Sequence, residues 1–93
     1  MTIKSQNINQ RKVEQILENY RKNGRTKVTT IQIILHYKGY YLNESVAPGK
    51  SSNALFGKWL QQNTTDLGIS KIGNVNSHDL LMKPTTSALW NII

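Results

Sequence analysis

The chain contains no cysteine, which excludes disulfides and cysteine-ligated zinc and fits a reducing compartment. Long apolar runs are also missing. Nothing approaches the ~18 consecutive apolar residues of a membrane span, and the opening MTIKSQNINQRK has no apolar signal-peptide core. The expectation is a soluble, cytoplasmic protein with no membrane partner. Repeats, low-complexity tracts and interdomain linkers are absent, as is any coiled-coil heptad. Acidic residues are scarce, five Asp and Glu against twelve Lys and Arg, for a net charge of +7. The surplus lies mainly in residues 1–50, where nine bases face three acids. Such a surplus attracts polyanions, and nucleic acid is the usual one.

What is present makes a single folded domain. Ninety-three residues with 38% hydrophobic content bury one modest core but no deep enclosed pocket. Residues 1–8 read as a flexible N-terminal arm and 9–93 as the domain. Residues 9–23 have the clearest helical pattern: Asn9 caps the start, Val13, Ile16, Leu17 and Tyr20 share a face, and Asn23-Gly24 ends it. Residues 28–42, VTTIQIILHYKGYYL, carry two signals. Thr29 with Gln32 fits a capping box that opens a helix, whereas Thr29, Ile31, Ile33, Leu35 and Tyr37 alternate as a strand does. The helix is preferred because the box starts it cleanly. Residues 43–50 form a loop on Pro48-Gly49, and SSNALFGKWLQQN (51–63) reads as a third helix held down by Leu55, Phe56, Trp59 and Leu60. Thr64, Thr65 and Asp66 then lead to a turn at Gly68. Ile69–Val75 and Thr86–Ile92 read as strands joined by the long connection NSHDLLMKP.

This order of elements resembles the winged-helix branch of the helix-turn-helix DNA-binding proteins. VTTIQIILHY stands as the second helix, SSNALFGKWL as the recognition helix, and LGISKIG and TSALWNI as the two strands of a C-terminal wing. The resemblance implies a mainly α (α+β) fold of three helices and a two-stranded β wing. It further implies a small DNA-binding regulator of transcription or replication, nucleoid-associated when bound. In that family the third helix enters the major groove, and the wing touches the backbone or minor groove.

The side-chain chemistry fits double-stranded DNA, with RNA an alternative. Asn53, Gln61 and Gln62 are suited to adenine edges and Lys58 to guanine or phosphate. Ala54 and Gly57 keep the same helical face low. Ser51, Ser52, Arg21, Lys22, Arg25, Lys27, Lys50, Lys71 and Lys83 are candidates for phosphate, with Lys38 and Asn76 extending the track. Two other readings stand beside this one. Gly57 also suits close approach of a neighbouring helix, with the polar residues merely wetting the surface. Leu80, Leu81 and Met82 also suit a protein-interaction adaptor on the same fold. A domain this small rarely reads a long site alone, so a homodimer is compatible with the first reading.

Catalysis is not expected, nor is a cofactor or metal. His36 and His78 have no ligand-like spacing around them. Ser77-His78-Asp79 holds triad residue types, but sequence neighbours do not form triad geometry. VAPGKSS lacks the first glycine and the preceding strand of a phosphate loop. Tyr37, Tyr40, Tyr41, Trp59 and Trp90 are read as core and rim rather than as a base-stacking platform.

Overall fold

Capping chemistry decides where this chain changes direction. In the computed structural model, which describes residues 8–39, 52–78, 82 and 84–93, helix α1 runs Gln10–Lys22. Asn9 accepts from the Lys12 amide at 3.2 Å, satisfying one of the free donors of the first turn. Val13 and Leu17 are fully buried, so the spacing read from the sequence does face the core.

The ambiguous segment uses both of its signals. Lys27–Thr29 is a three-residue strand, β1, and Thr30–Lys38 is helix α2. The switch occurs at the capping box: Gln32 N donates to Thr29 Oγ1 at 3.1 Å, and Thr29 N donates to Gln32 Oε1 at 2.8 Å. Helix α2 then ends at Gly39, where the backbone enters the left-handed region at φ 90°. The expected helix over 28–42 is therefore shorter at its start, because Val28 and Thr29 pair with a strand from the far end of the chain. Residues 40–42 lie outside the described residues.

Helix α3 spans Ser52–Gln62, and a four-residue helix, α4, follows at Thr64–Leu67. Gly68 stops α4 at φ 69° and starts strand β2, Ile69–His78. Strand β3 is Pro84–Ile92. The strands form one antiparallel sheet in the order β1-β3-β2. Thus the domain is α+β, with four helices and three strands among the described residues. The two-stranded expectation is corrected by β1, too short for a propensity signal and created by pairing with Leu89, Trp90 and Asn91.

The hairpin is also longer than its sequence suggested. Asn76, Ser77 and His78 pair with Thr86, Thr85 and Pro84, so much of the expected connection is strand. Pro84 fits because it begins β3, where a missing amide is tolerated. A bulge at Ile72, between Lys71 and Gly73, shifts the register of β2. The core joins Val13 and Leu17 to Val28, to Ile31, Ile33 and Ile34 of α2, to Phe56 and Leu60 of α3, and to Trp90 in the central strand. No helix among the described residues is long and apolar enough to cross a membrane. The N-terminal seven residues and the 43–50 loop fall outside the described residues, as do Leu80 and Leu81 of the proposed adaptor patch.

Candidate nucleic-acid interface

Helix α3 is anchored by one face. Phe56 and Leu60 are buried, and Phe56 meets Tyr37 and Trp59 edge-on at ring separations of 5.2 and 6.3 Å. Leu55 and Trp59 are only half-buried. The opposite face, Ala54, Gly57, Lys58 and Gln61, forms one wall of a groove of about 470 Å³. Lys71 of β2 and Thr85, Thr86, Ser87 and Ala88 of β3 line the other side, and Thr30, Ile31, Ile34 and Trp90 complete the floor.

Hydrogen bonds fix that floor. The Trp90 indole N–H donates to Thr30 Oγ1 at 2.8 Å, and the Ile31 amide donates to Ser87 Oγ at 3.1 Å. Thr30 and Ser87 are both buried residues, at 8% and 4% exposure, so unpaired partners there would be costly. These bonds tie the first turn of α2 to the central strand, and so set how far α3 stands from the hairpin.

The groove and a second depression carry different charge. Lys58 and Lys71 line the groove with no carboxylate of the described residues among its lining. The carboxylates of Glu14, Glu18 and Asp66 lie instead in a second depression between α1 and α4, mixed with Arg11 and Arg21. The remaining two acids of the chain, Glu44 and Asp79, are outside the described residues. Among the described residues, then, the acids line one depression and none of them lines the groove.

Of the expected contact residues, the structure brings Asn53, Lys58, Gln61 and Lys71 together around the groove. Asn53 is engaged there, its Oδ1 accepting from Lys38 Nζ at 3.3 Å. Gln62 is exposed but does not line the groove. Lys27 pairs with Asn91, one register position from the Lys71–Trp90–Val28 row, and therefore points to the other face of the sheet. Lys22 and Arg25 are exposed near the end of α1, and Arg25 sits over the Tyr20 ring at 5.8 Å. Burial raises the Tyr20 phenol above its ordinary value, and the Arg25 charge opposes that rise. Helix α3 begins at Ser52, whereas Lys50, Ser51 and Lys83 lie outside the described residues.

Arg21 has a different role from the expected phosphate contact. Its Nε donates to Ile93 O at 3.0 Å, one terminal nitrogen to Leu67 O at 3.0 Å, and the other meets Glu18 at 3.3 Å. The guanidinium is thus committed to holding α4 and the end of β3 against α1. Sequence reasoning missed Thr30, Thr85, Thr86 and Ser87 as groove residues. The run PTTS at 84–87 is visible as a cluster of hydroxyls, but only the pairing of β3 shows which wall they line.

Gly57 is not required by packing against the described residues. Among the described residues a Cβ there would meet only Thr30 Cγ2, at 3.9 Å, which is ordinary contact. The described part of α2 therefore does not approach closely enough to demand a glycine. Gly57→Ala is expected to raise unfolding free energy by about 0.5–1 kcal/mol through helix propensity. Urea denaturation checks this, and a loss of stability would show that the α2–α3 contact is tighter than 3.9 Å implies.

Comparison of the chain with family models, curated proteins and solved structures returned no match.

Proposed function

We propose that this protein is a winged-helix-type DNA-binding module that holds duplex DNA against α3 and the β2–β3 hairpin. The observation that carries this reading is the groove lined by Lys58 and Lys71 with no described acid, while the described carboxylates line a separate depression. Charge separated in this way orients a polyanion as well as attracting it. The order of α1, α2, α3 and a terminal hairpin supports the winged-helix form. Eleven helical residues extend about 16 Å, and the low face at Ala54 and Gly57 suits a major groove about 12 Å wide. Lys58 and Gln61 meet base edges, Lys71 meets a phosphate, and Lys22, Arg25 and Lys27 provide a second basic area beyond the groove. A transcriptional or replication-type regulator is the role in keeping with such a module.

Fluorescence anisotropy on a random-sequence duplex across a salt series tests the proposal. Affinity is expected to fall steeply with salt, and Lys71→Ala to lower the logarithmic slope by about 0.9, the amount for one phosphate. Glu14→Gln, in the acid-bearing depression, is expected to leave the slope unchanged. Absence of binding at low salt overturns the proposal and favours the protein-adaptor reading. Tighter binding to duplex RNA than to DNA transfers the same surface to RNA.

A further inference from the structure

We propose that the outer edge of β2 is a dimer interface, where the strand pairs antiparallel with its own counterpart in a second copy of the chain. Among the described residues, the sheet order β1-β3-β2 leaves one open edge on each flanking strand. Strand β1 has three residues and is too short to hold a partner, whereas β2 has ten. The first part of β2 is guarded as edge strands commonly are, by Lys71 and by the bulge at Ile72. From Gly73 to His78 no charge, proline or bulge guards it.

Two hydrogen bonds fix which way the backbone of this stretch points. The Ile92 amide donates to Thr26 O at 2.7 Å, on the β1 side, and the Ile93 amide to Gly68 O at 2.8 Å, on the β2 side. Alternation along β3 therefore aims Leu89, Ser87 and Thr85 at their partners Gly73, Val75 and Ser77. Asn74, Asn76 and His78 lie between these and direct both amide and carbonyl outward, and all three are exposed. Antiparallel pairing centred on Asn76 uses every one of them. Asn76 meets Asn76 of the partner subunit, Asn74 meets the partner's His78, and each pair exchanges two backbone hydrogen bonds. A shift of two residues either way sets one of the outward residues against the bulge or beyond the strand end.

Charge favours a second copy as the occupant. The chain carries a net +7, so two copies repel, and an uncharged strand lets them meet without opposing like charges. The same stretch offers no charge with which to recognise an acidic or basic peptide, yet it complements itself in hydrogen bonds. The assembly also closes. Once two β2 strands pair, the continuous sheet ends on both sides in the three-residue β1, which leaves no comparable edge for a third copy. The interface does not depend on the DNA-binding proposal, but it adds to it. The two-fold axis of an antiparallel pairing stands perpendicular to the sheet, so both grooves, lined by Lys71, Ala88 and Trp90, open on the same side. A two-fold symmetric site is what such a dimer would read.

Sedimentation velocity without DNA tests the interface. Wild type is expected to pass from monomer to dimer as concentration rises, and Asn76→Pro to raise the dissociation constant at least about tenfold. The Asn76 amide is not directed at β3, so proline there leaves the hairpin's own ladder intact, and circular dichroism checks that the variant folds. A second measurement uses the absence of native cysteine and decides the matter if the proline variant does not fold. In a hydrogen-bonded antiparallel pair the Cα atoms stand about 5.5 Å apart, within reach of a disulfide. Under mild oxidation Asn76→Cys is expected to form a disulfide-linked dimer at least about tenfold faster than His78→Cys, whose counterpart is Asn74. A wild type that stays monomeric throughout overturns the interface and leaves DNA binding standing. A dimer unchanged by folded Asn76→Pro, or equal cross-linking at the two positions, also overturns it. A dimer that behaves as expected but binds no duplex supports the interface and removes only the functional proposal.

Discussion

Trp90→Ala is expected to cost about 3–5 kcal/mol of unfolding free energy, the range for deleting a large buried aromatic. Trp90 is 1% exposed and stands in the central strand, paired with Val28 on one side and Lys71 on the other. Its removal empties the middle of the core and leaves Thr30 without its indole donor. Small domains have only about 5–15 kcal/mol in total, so this one substitution removes a large share. The thermal midpoint should fall by at least about 12 °C for a chain of this size. Trp90→Phe, which keeps an aromatic ring but loses the N–H, should cost less, about 1–3 kcal/mol. Half-buried Trp59 provides the comparison. If Trp59→Ala and Trp90→Ala destabilise equally in thermal melts followed by circular dichroism, Trp90 does not hold the central position assigned to it.

Gly68→Ala is expected to destabilise by about 2 kcal/mol, through left-handed backbone strain of about 1–2 kcal/mol and a collision. The backbone at Gly68 has φ 69°, and an added Cβ would lie 2.7 Å from the Arg21 guanidinium. That guanidinium would have to leave the carbonyls of Leu67 and Ile93. Arg21→Met is expected to cost about 1–2 kcal/mol, the lower part of the range for hydrogen bonds to a charged group, because the site is partly open to water. The double variant should lose less than the sum of the two, since without the guanidinium there is nothing for the new methyl to strike. Urea denaturation of the four proteins measures the coupling. Strict additivity would show that the cost at Gly68 is backbone strain alone.

These two sites also mark how far the sequence could be read. Glycine at 68 and its turn were apparent, because only a few residues tolerate a positive φ. That Arg21, 47 positions earlier, closes over this turn was not, since nothing local distinguishes it from Lys22 beside it. Both were read as phosphate ligands, and the fold separates them. One is exposed; the other is bound to carbonyls brought to it by α4 and β3. The same holds for residues 28–42. The capping box located the start of α2 to the residue, yet β1 exists only because Lys27, Val28 and Thr29 find Asn91, Trp90 and Leu89.

The sequence by itself determined features that depend on a few neighbouring residues. These are the caps at Asn9 and Thr29, the apolar faces of α1 and α3, the stop at Gly68 and the basic balance of the whole chain. Each rests on contacts within one helical turn, or on composition alone, and so needs no knowledge of the fold. Only the tertiary structure decided which charges line one depression, and that Thr30 lies beneath Gly57 with Lys71 across from both. The bonds from Trp90 to Thr30 and from Ile31 to Ser87 span 60 and 56 residues. Pairings over such separations follow from how the helices pack on β3, and the groove does not exist until they form.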